Sequence, residues 1–169
     1  MRHTGRTDVP LTEDGRDEAR SLAPRLANRE FGRVLVSPLG RAVETCELAG
    51  LGDHAEPRDE LLELDYGEYE GLTTAEIRET VPGWTVWTHG SPGGETVDAA
   101  AARLDPLVEE LADADGDIAI VAHGHLLRIL AARWTEQPAT FGARLALGTG
   151  TLSLLGWERE TRCLRCWNS

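Results

Sequence analysis

The chain has no lysine. All 17 basic residues are arginine, set against 29 acidic residues for a net charge of −12. Without lysine there is no phosphate-loop lysine and no Schiff-base chemistry. The shortage of positive charge argues against a nucleic-acid partner or an anionic membrane surface. Any anionic ligand must be held by a few arginines working against the overall field. The three cysteines, Cys46, Cys163 and Cys166, are too few and oddly numbered for a disulfide framework, which fits a reducing cytoplasm. Cys163-x-x-Cys166 lacks the second pair that a metal site would need. No apolar run reaches transmembrane length and no signal-peptide core follows Met1, so a soluble protein is expected. Internal repeats, low-complexity tracts and domain boundaries are also missing, and 169 residues read as a single domain with a real core.

What is present centres on Ile118-Ala-Ile-Val-Ala-His-Gly-His-Leu-Leu-Arg-Ile-Leu130. Before His123 the run is continuously apolar and β-branched, as in a strand buried on both faces. After Gly124, residues Leu126, Leu127, Leu130 and Ala131 fall at helical spacing. A strand turning into a helix through His-Gly-His sets His123 at the carboxyl edge of a sheet, beside the free N–H groups of a helix start, where α/β proteins bind anions. His123 can equally be satisfying local hydrogen bonds. Two imidazoles, His123 and His125, without a carboxylate or thiolate at recognised spacing call for no metal, and nothing else calls for a cofactor.

In chain order, a polar start leads to Thr12, which caps a helix with an apolar stripe of Ala19, Leu22, Ala23 and Leu26. Val34-Leu35-Val36 is a short strand, and Ser37-Pro38 reads as a helix start with Ser at the N-cap and Pro in the first turn. Arg41, early in that helix, can reach back and fork onto a phosphate beside the Ser37 hydroxyl, or sit solvated. Leu61–Gly71 carries alternating carboxylates, either an edge strand with one wet face or a place where Glu63, beside Leu64 and Tyr66, keeps its proton as a general acid. Thr73 and Glu76 form a capping box for a short helix ending before Pro82. Trp84, Trp87 and the turn Gly90–Gly94 read as a lid or insert over the sheet, and Val97–Leu111 as a long amphipathic helix kinked at Pro106. Asp115-Gly116 then turns the chain into a central strand at Ile118, and two further strands are expected around Thr151–Trp157 and Arg162–Trp167.

Four segments in order, Val36-Ser-Pro-Leu-Gly-Arg-Ala-Val-Glu-Thr45, Glu63-Leu-Asp-Tyr-Gly-Glu-Tyr-Glu-Gly71, Gly93-Gly-Glu-Thr96 and Val121-Ala-His-Gly-His125, resemble the histidine phosphatase superfamily. The resemblance implies an α/β fold of three layers, α/β/α, with a mostly parallel central sheet, the phosphoglycerate mutase-like fold. Its flanks look closer to sugar-phosphate phosphatases than to mutases. It implies catalytic roles for Arg41 and His123, which would form half of a phosphate site, and for Glu63, which would protonate the leaving oxygen. Ser37, Tyr66, Gly124 and Arg128 would touch substrate, a small phosphorylated metabolite. The alternatives are phosphoglycerate mutase-type transfer and a non-catalytic phosphate-binding remnant.

The family's nucleophile is a histidine in an Arg-His-Gly motif ending its first strand. Arg2-His3 tempts that placement, but Thr4-Gly5 follows it, no strand precedes it and Leu11 comes too soon. His3–Thr12 matches the end of the loop beyond that strand. The expectation is therefore a chain lacking the first strand and its nucleophile, with unpaired strand edges, poor folding or pairing with another copy, and impaired turnover.

Overall fold

A computed structural model describes residues 2–169. In it β1 (Arg33–Val36) runs between β2 (Ala55–Pro57) and β3 (Ile118–Val121), parallel to both. Successive side chains of β1 point to opposite faces, as a period of two requires. Leu35 enters the larger core, built with Leu104 and Leu107 of α5 (Val97–Ala112) and Leu126 and Ile129 of α6 (Gly124–Trp134). Val34 and Val36 enter a smaller core on the other face with Ala42 and Cys46 of α2 (Gly40–Leu48). α1 (Glu13–Leu26) packs on α2, with Thr12 as its N-cap. Helices thus cover both faces of a parallel sheet, the α/β architecture expected.

The capping box of Thr73 and Glu76 opens α3 (Thr74–Thr80). The sequence order ends in β4 (Leu154–Glu158) and β5 (Thr161–Cys166), an antiparallel hairpin anchored where the Trp134 indole N–H donates to Gly156 O at 3.2 Å.

Several local readings change. β1, not β3, is the middle strand, and β3 pairs on one side only among the described residues. An apolar run cannot rank centre against edge, because the partner strand decides it. Ile118, Ile120 and Val121 are accordingly only half-buried. The helix after β1 begins at Gly40 with Leu39 in the cap position, so Ser37 and Pro38 form a turn ahead of it. Leu61–Gly71 forms no strand but short 3₁₀ turns. Trp84 is no lid: it is 1% exposed, edge-on to Tyr69, with its indole N–H on Gly90 O at 2.7 Å.

Candidate active site

The site begins where β1 and β3 end side by side. Ser37 follows β1, and His123 precedes α6 with extended backbone; the His123 Nε2 and Ser37 Oγ lie 2.7 Å apart, both residues buried. Ser37 Oγ also accepts the Leu39 N–H at 3.4 Å. The other ring nitrogen, Nδ1, has no partner among the described residues. Burial, reinforced by Arg41, depresses the His123 pKa to about 3. His123 is therefore a neutral imidazole at neutral pH.

Glu63 is 5% exposed on the loop before the Gly67–Tyr69 turn. Its Oε1 accepts from Leu64 N and Leu126 N at 3.0 Å each, and Oε2 accepts from His125 N at 3.1 Å. The N–H groups expected to be free at the start of α6 are thus largely given to the protein's own carboxyl, which corrects the anion-ready reading of that turn; Gly124 N–H is left. Burial pushes the Glu63 pKa up, while the three N–H bonds and Arg41 pull the other way. With Oε1 already accepting two hydrogens, the proton of the acid belongs on Oε2.

Glu63 owes its place to Arg103 on α5, which donates to the carbonyls of Glu60 and Leu62 and pairs with Glu95 at 2.7 Å. Arg103 was not singled out in the sequence; its only signal was a place eight residues beyond Glu95, in the Gly-Gly-Glu-Thr segment. Arg103→Met is expected to destabilise the protein by about 3 kcal/mol, since it leaves two carbonyls without their donor and Glu95 with only the 3.9 Å contact to Arg6. Urea unfolding at pH 7 measures this.

Arg41 lies in the first turn of α2, and its guanidinium reaches the polar segment before α1. Nη1 donates to Thr7 O at 3.0 Å; Nη2 donates to Thr4 O at 3.1 Å and Gly5 O at 2.9 Å. Nε–H and one Nη1 hydrogen remain for a ligand. Gly40 N–H is taken by Asp8 Oδ2 at 2.8 Å. The segment is pinned on its other side by Glu70, which accepts from Gly5 N and Arg6 N at 3.0 Å each. Gly5 must be glycine, because a Cβ there would run into Leu64 O.

His3 is held away from an attacking role. Its Nε2 lies 3.1 Å from Thr74 Oγ1, and its ring packs on Tyr66 and Trp84 at 5.0 and 5.1 Å. Tyr66 OH meets His125 Nδ1 at 2.6 Å. Burial raises the Tyr66 pKa and lowers that of His125 to about 4, so a neutral phenol meets a neutral imidazole. Beyond His125, the Trp87 ring lies 5.4 Å away, and Arg128 stacks on the far side of the cluster with its guanidinium carbon 4.6 Å from the Trp87 centroid. The sequence offered His125 only as a weak metal candidate and Trp87 as part of a lid or insert, because ring stacking depends on tertiary neighbours. Among the described residues no group of His, Cys, Asp and Glu is placed to hold a metal.

A donor histidine, an arginine and a buried acid at the carboxyl ends of parallel strands form a phosphoryl-handling arrangement. The profile of the histidine phosphatase superfamily (branch 1) matches residues 1–169. The chain belongs to that superfamily. An acid phosphatase of Mycobacterium tuberculosis is 41% identical over 167 residues, covering 96% of this chain and 82% of the relative. A glucosyl-3-phosphoglycerate phosphatase of the same organism is 33% identical over 156 residues, 81% of this chain and 69% of that protein. The solved structure of the M. tuberculosis open reading frame Rv3214 product matches with a TM-score of 0.93 at 38% identity, covering 99% of this chain and 88% of that one. This histidine phosphatase is thus an enzyme of phosphate monoesters, with the fold of its structural neighbours. No helix of it is long and apolar enough to cross a membrane among the described residues.

Proposed function

We propose that this histidine phosphatase releases phosphate from small phosphorylated metabolites such as sugar phosphates, in the cytoplasm and without a nucleic-acid or membrane partner. The observation that carries the reading is the gathering of His123, Arg41 and the start of α6 around one buried carboxyl: Glu63 accepts from His125 N and Leu126 N, the Arg41 charge acts on both Glu63 and His123, and burial pushes Glu63 toward its protonated form. Arg41 and His123 hold the non-bridging oxygens as charge builds on them, and Glu63 Oε2 gives its proton to the leaving oxygen. Ser37 is 0% exposed, so it orients His123 rather than attacking phosphorus. Tyr66, Gly124 and Arg128 face the rest of the substrate. The phosphatase names of the relatives above support release over isomerisation.

Binding and protonation are better provided for than attack. His3 is engaged with Thr74, and His125 with Tyr66. These 169 residues on their own are therefore expected to bind phosphate and turn over slowly. Calorimetric titration with inorganic phosphate, alongside phosphate release from glucose 6-phosphate, tests this. Saturable binding weakened at least tenfold in His123→Ala, with slow release, is expected. A folded chain that binds no phosphate removes the reading. Ordinary turnover that survives His3→Ala and disappears in His123→Ala would make His123 the attacking group and overturn the impairment.

A further inference from the structure

Arg41, Arg103 and Arg6 all act on His123 through their charge. Two of these arginines are already engaged. The Arg103 guanidinium donates to the carbonyls of Glu60 and Leu62 and forks onto Glu95, Nε to Oε1 at 2.7 Å and Nη2 to Oε2 at 2.9 Å. The Arg41 guanidinium serves the carbonyls of Thr4, Gly5 and Thr7. The Arg6 guanidinium makes no hydrogen bond among the described residues. Its nearest carboxylate oxygen, Glu95 Oε2, lies 3.9 Å from Nη2, too far for one, and is the oxygen that already accepts from Arg103.

The backbone beneath this side chain is fixed. Arg6 N donates to Glu70 Oε1 at 3.0 Å, Gly5 O accepts from Arg41 at 2.9 Å, and Asp8 takes the Gly40 N–H at 2.8 Å. Arg6 is therefore a free cationic arm on a pinned base, and the hydrogens of its planar fork are available to an anion. Leaving Glu95 costs little, because a part-exposed ion pair at 3.9 Å contributes little to stability. A fork onto a phosphoryl group is charge-assisted and bidentate, and so outweighs that contact. The place of the arm selects the end of the substrate it can reach. It adjoins Gly5, which Arg41 binds, and its charge acts on His123, so it borders the side of the non-bridging oxygens.

We infer that Arg6 is a further phosphate-binding residue: when substrate enters, its guanidinium leaves Glu95 and forks onto the non-bridging oxygens beside Arg41 and His123. This rests on the phosphatase reading and adds to it a movable cation from the segment before α1. The arm answers a need set by composition, since a chain of net charge −12 repels a phosphate dianion until local arginines reverse the field. With Arg41 and Arg103 tied to carbonyls, Arg6 can turn to the anion without giving up a hydrogen bond.

The test titrates inorganic phosphate calorimetrically, at constant ionic strength, into wild type, Arg6→Gln, Arg6→Lys and Arg20→Gln, the last an exposed α1 arginine paired with Asp17. Arg6→Gln is expected to bind about 5- to 20-fold more weakly, the loss of one charge-assisted fork. Arg6→Lys should recover part of the affinity, and Arg20→Gln should match wild type, which separates a local contact from a change in net charge. Hydrogen exchange over residues 4–8 should stay slow in Arg6→Gln, because Arg41 and Glu70 hold that backbone. Wild type alone gives a second reading. Phenylglyoxal, which condenses with free guanidinium groups, should label Arg6 at least about threefold more slowly in saturating phosphate and Arg20 at an unchanged rate, as read by peptide mass mapping. Affinity in Arg6→Gln within about twofold of wild type, or Arg6 labelling indifferent to phosphate, overturns the inference while the site of Arg41 and His123 stands. A folded wild type that binds no phosphate overturns the phosphatase reading and this inference with it. The labelling of wild type decides the matter even if Arg6→Gln does not fold.

Discussion

Acidification from pH 7 to pH 4 is expected to remove most of the stability of this protein. In the unfolded chain His123 and His125 take up protons near pH 6.5; in the fold, burial holds them down to about 3 and about 4. The folded state binds fewer protons in that window, so the stability present above pH 6.5 is lost as pH falls toward the folded values. Each histidine loses about 1.4 kcal/mol per pH unit, or about 3 kcal/mol by pH 4. Against a typical domain stability of about 5–15 kcal/mol, two such losses are large. Glu63 has the opposite sign: its raised pKa favours the folded acid at low pH, and its contribution is lost as pH rises through the folded value. Urea midpoints at pH 7, 5.5 and 4.5 should fall steadily, and His123→Gln should flatten the slope. A flat wild-type profile over that range would mean that the buried imidazole accepts a proton in the fold, contrary to its burial beside Arg41.

Arg41→Ala is expected to weaken phosphate binding by about 10- to 100-fold, the loss of a charge-assisted hydrogen bond to the anion. It should do a second thing that a ligand contact alone would not. The guanidinium binds the carbonyls of Thr4, Gly5 and Thr7, so its loss removes three hydrogen bonds that hold the segment before α1. Hydrogen exchange and proteolysis near residues 4–8 should both accelerate. Arg41→Lys should recover little of either function, since one ammonium cannot serve three carbonyls and a phosphate together. If phosphate affinity falls while exchange in that segment stays slow, Glu70 and Asp8 are sufficient anchors and Arg41 is a ligand group only.

The residues nominated from sequence were legible where chemistry is local. Strand-to-helix turns after Val36 and Val121, the capping box of Thr73 and Glu76, and a carboxylate set among Leu64 and Tyr66 are short-range patterns; the two turns and Glu63 meet at one end of the sheet. The sequence could not show who would claim the donors at those turns. Glu63 takes the N–H groups of α6 and Asp8 takes that of Gly40, although Glu63 lies 62 and 63 residues from its partners and Asp8 32 from its own. Arg103 was passed over, and His125 and Trp87 were given other roles, for the same reason, since each acts through neighbours distant in the chain.

By itself the sequence determined the long helices, the strands β1, β3, β4 and β5, the α/β class and the family, because periodicity, caps and motif order are written along one dimension; β2 lies in a stretch that reads as loop. Only the tertiary structure decided that β1 is the middle strand, that His123 meets Ser37 and is held neutral by burial, that the Glu63 carboxyl is buried against the start of α6, and that His3 packs on Tyr66 and Trp84. Strand order, tautomer and protonation depend on which groups meet after the chain has folded, and burial magnifies each such meeting by removing the water that would otherwise have answered it.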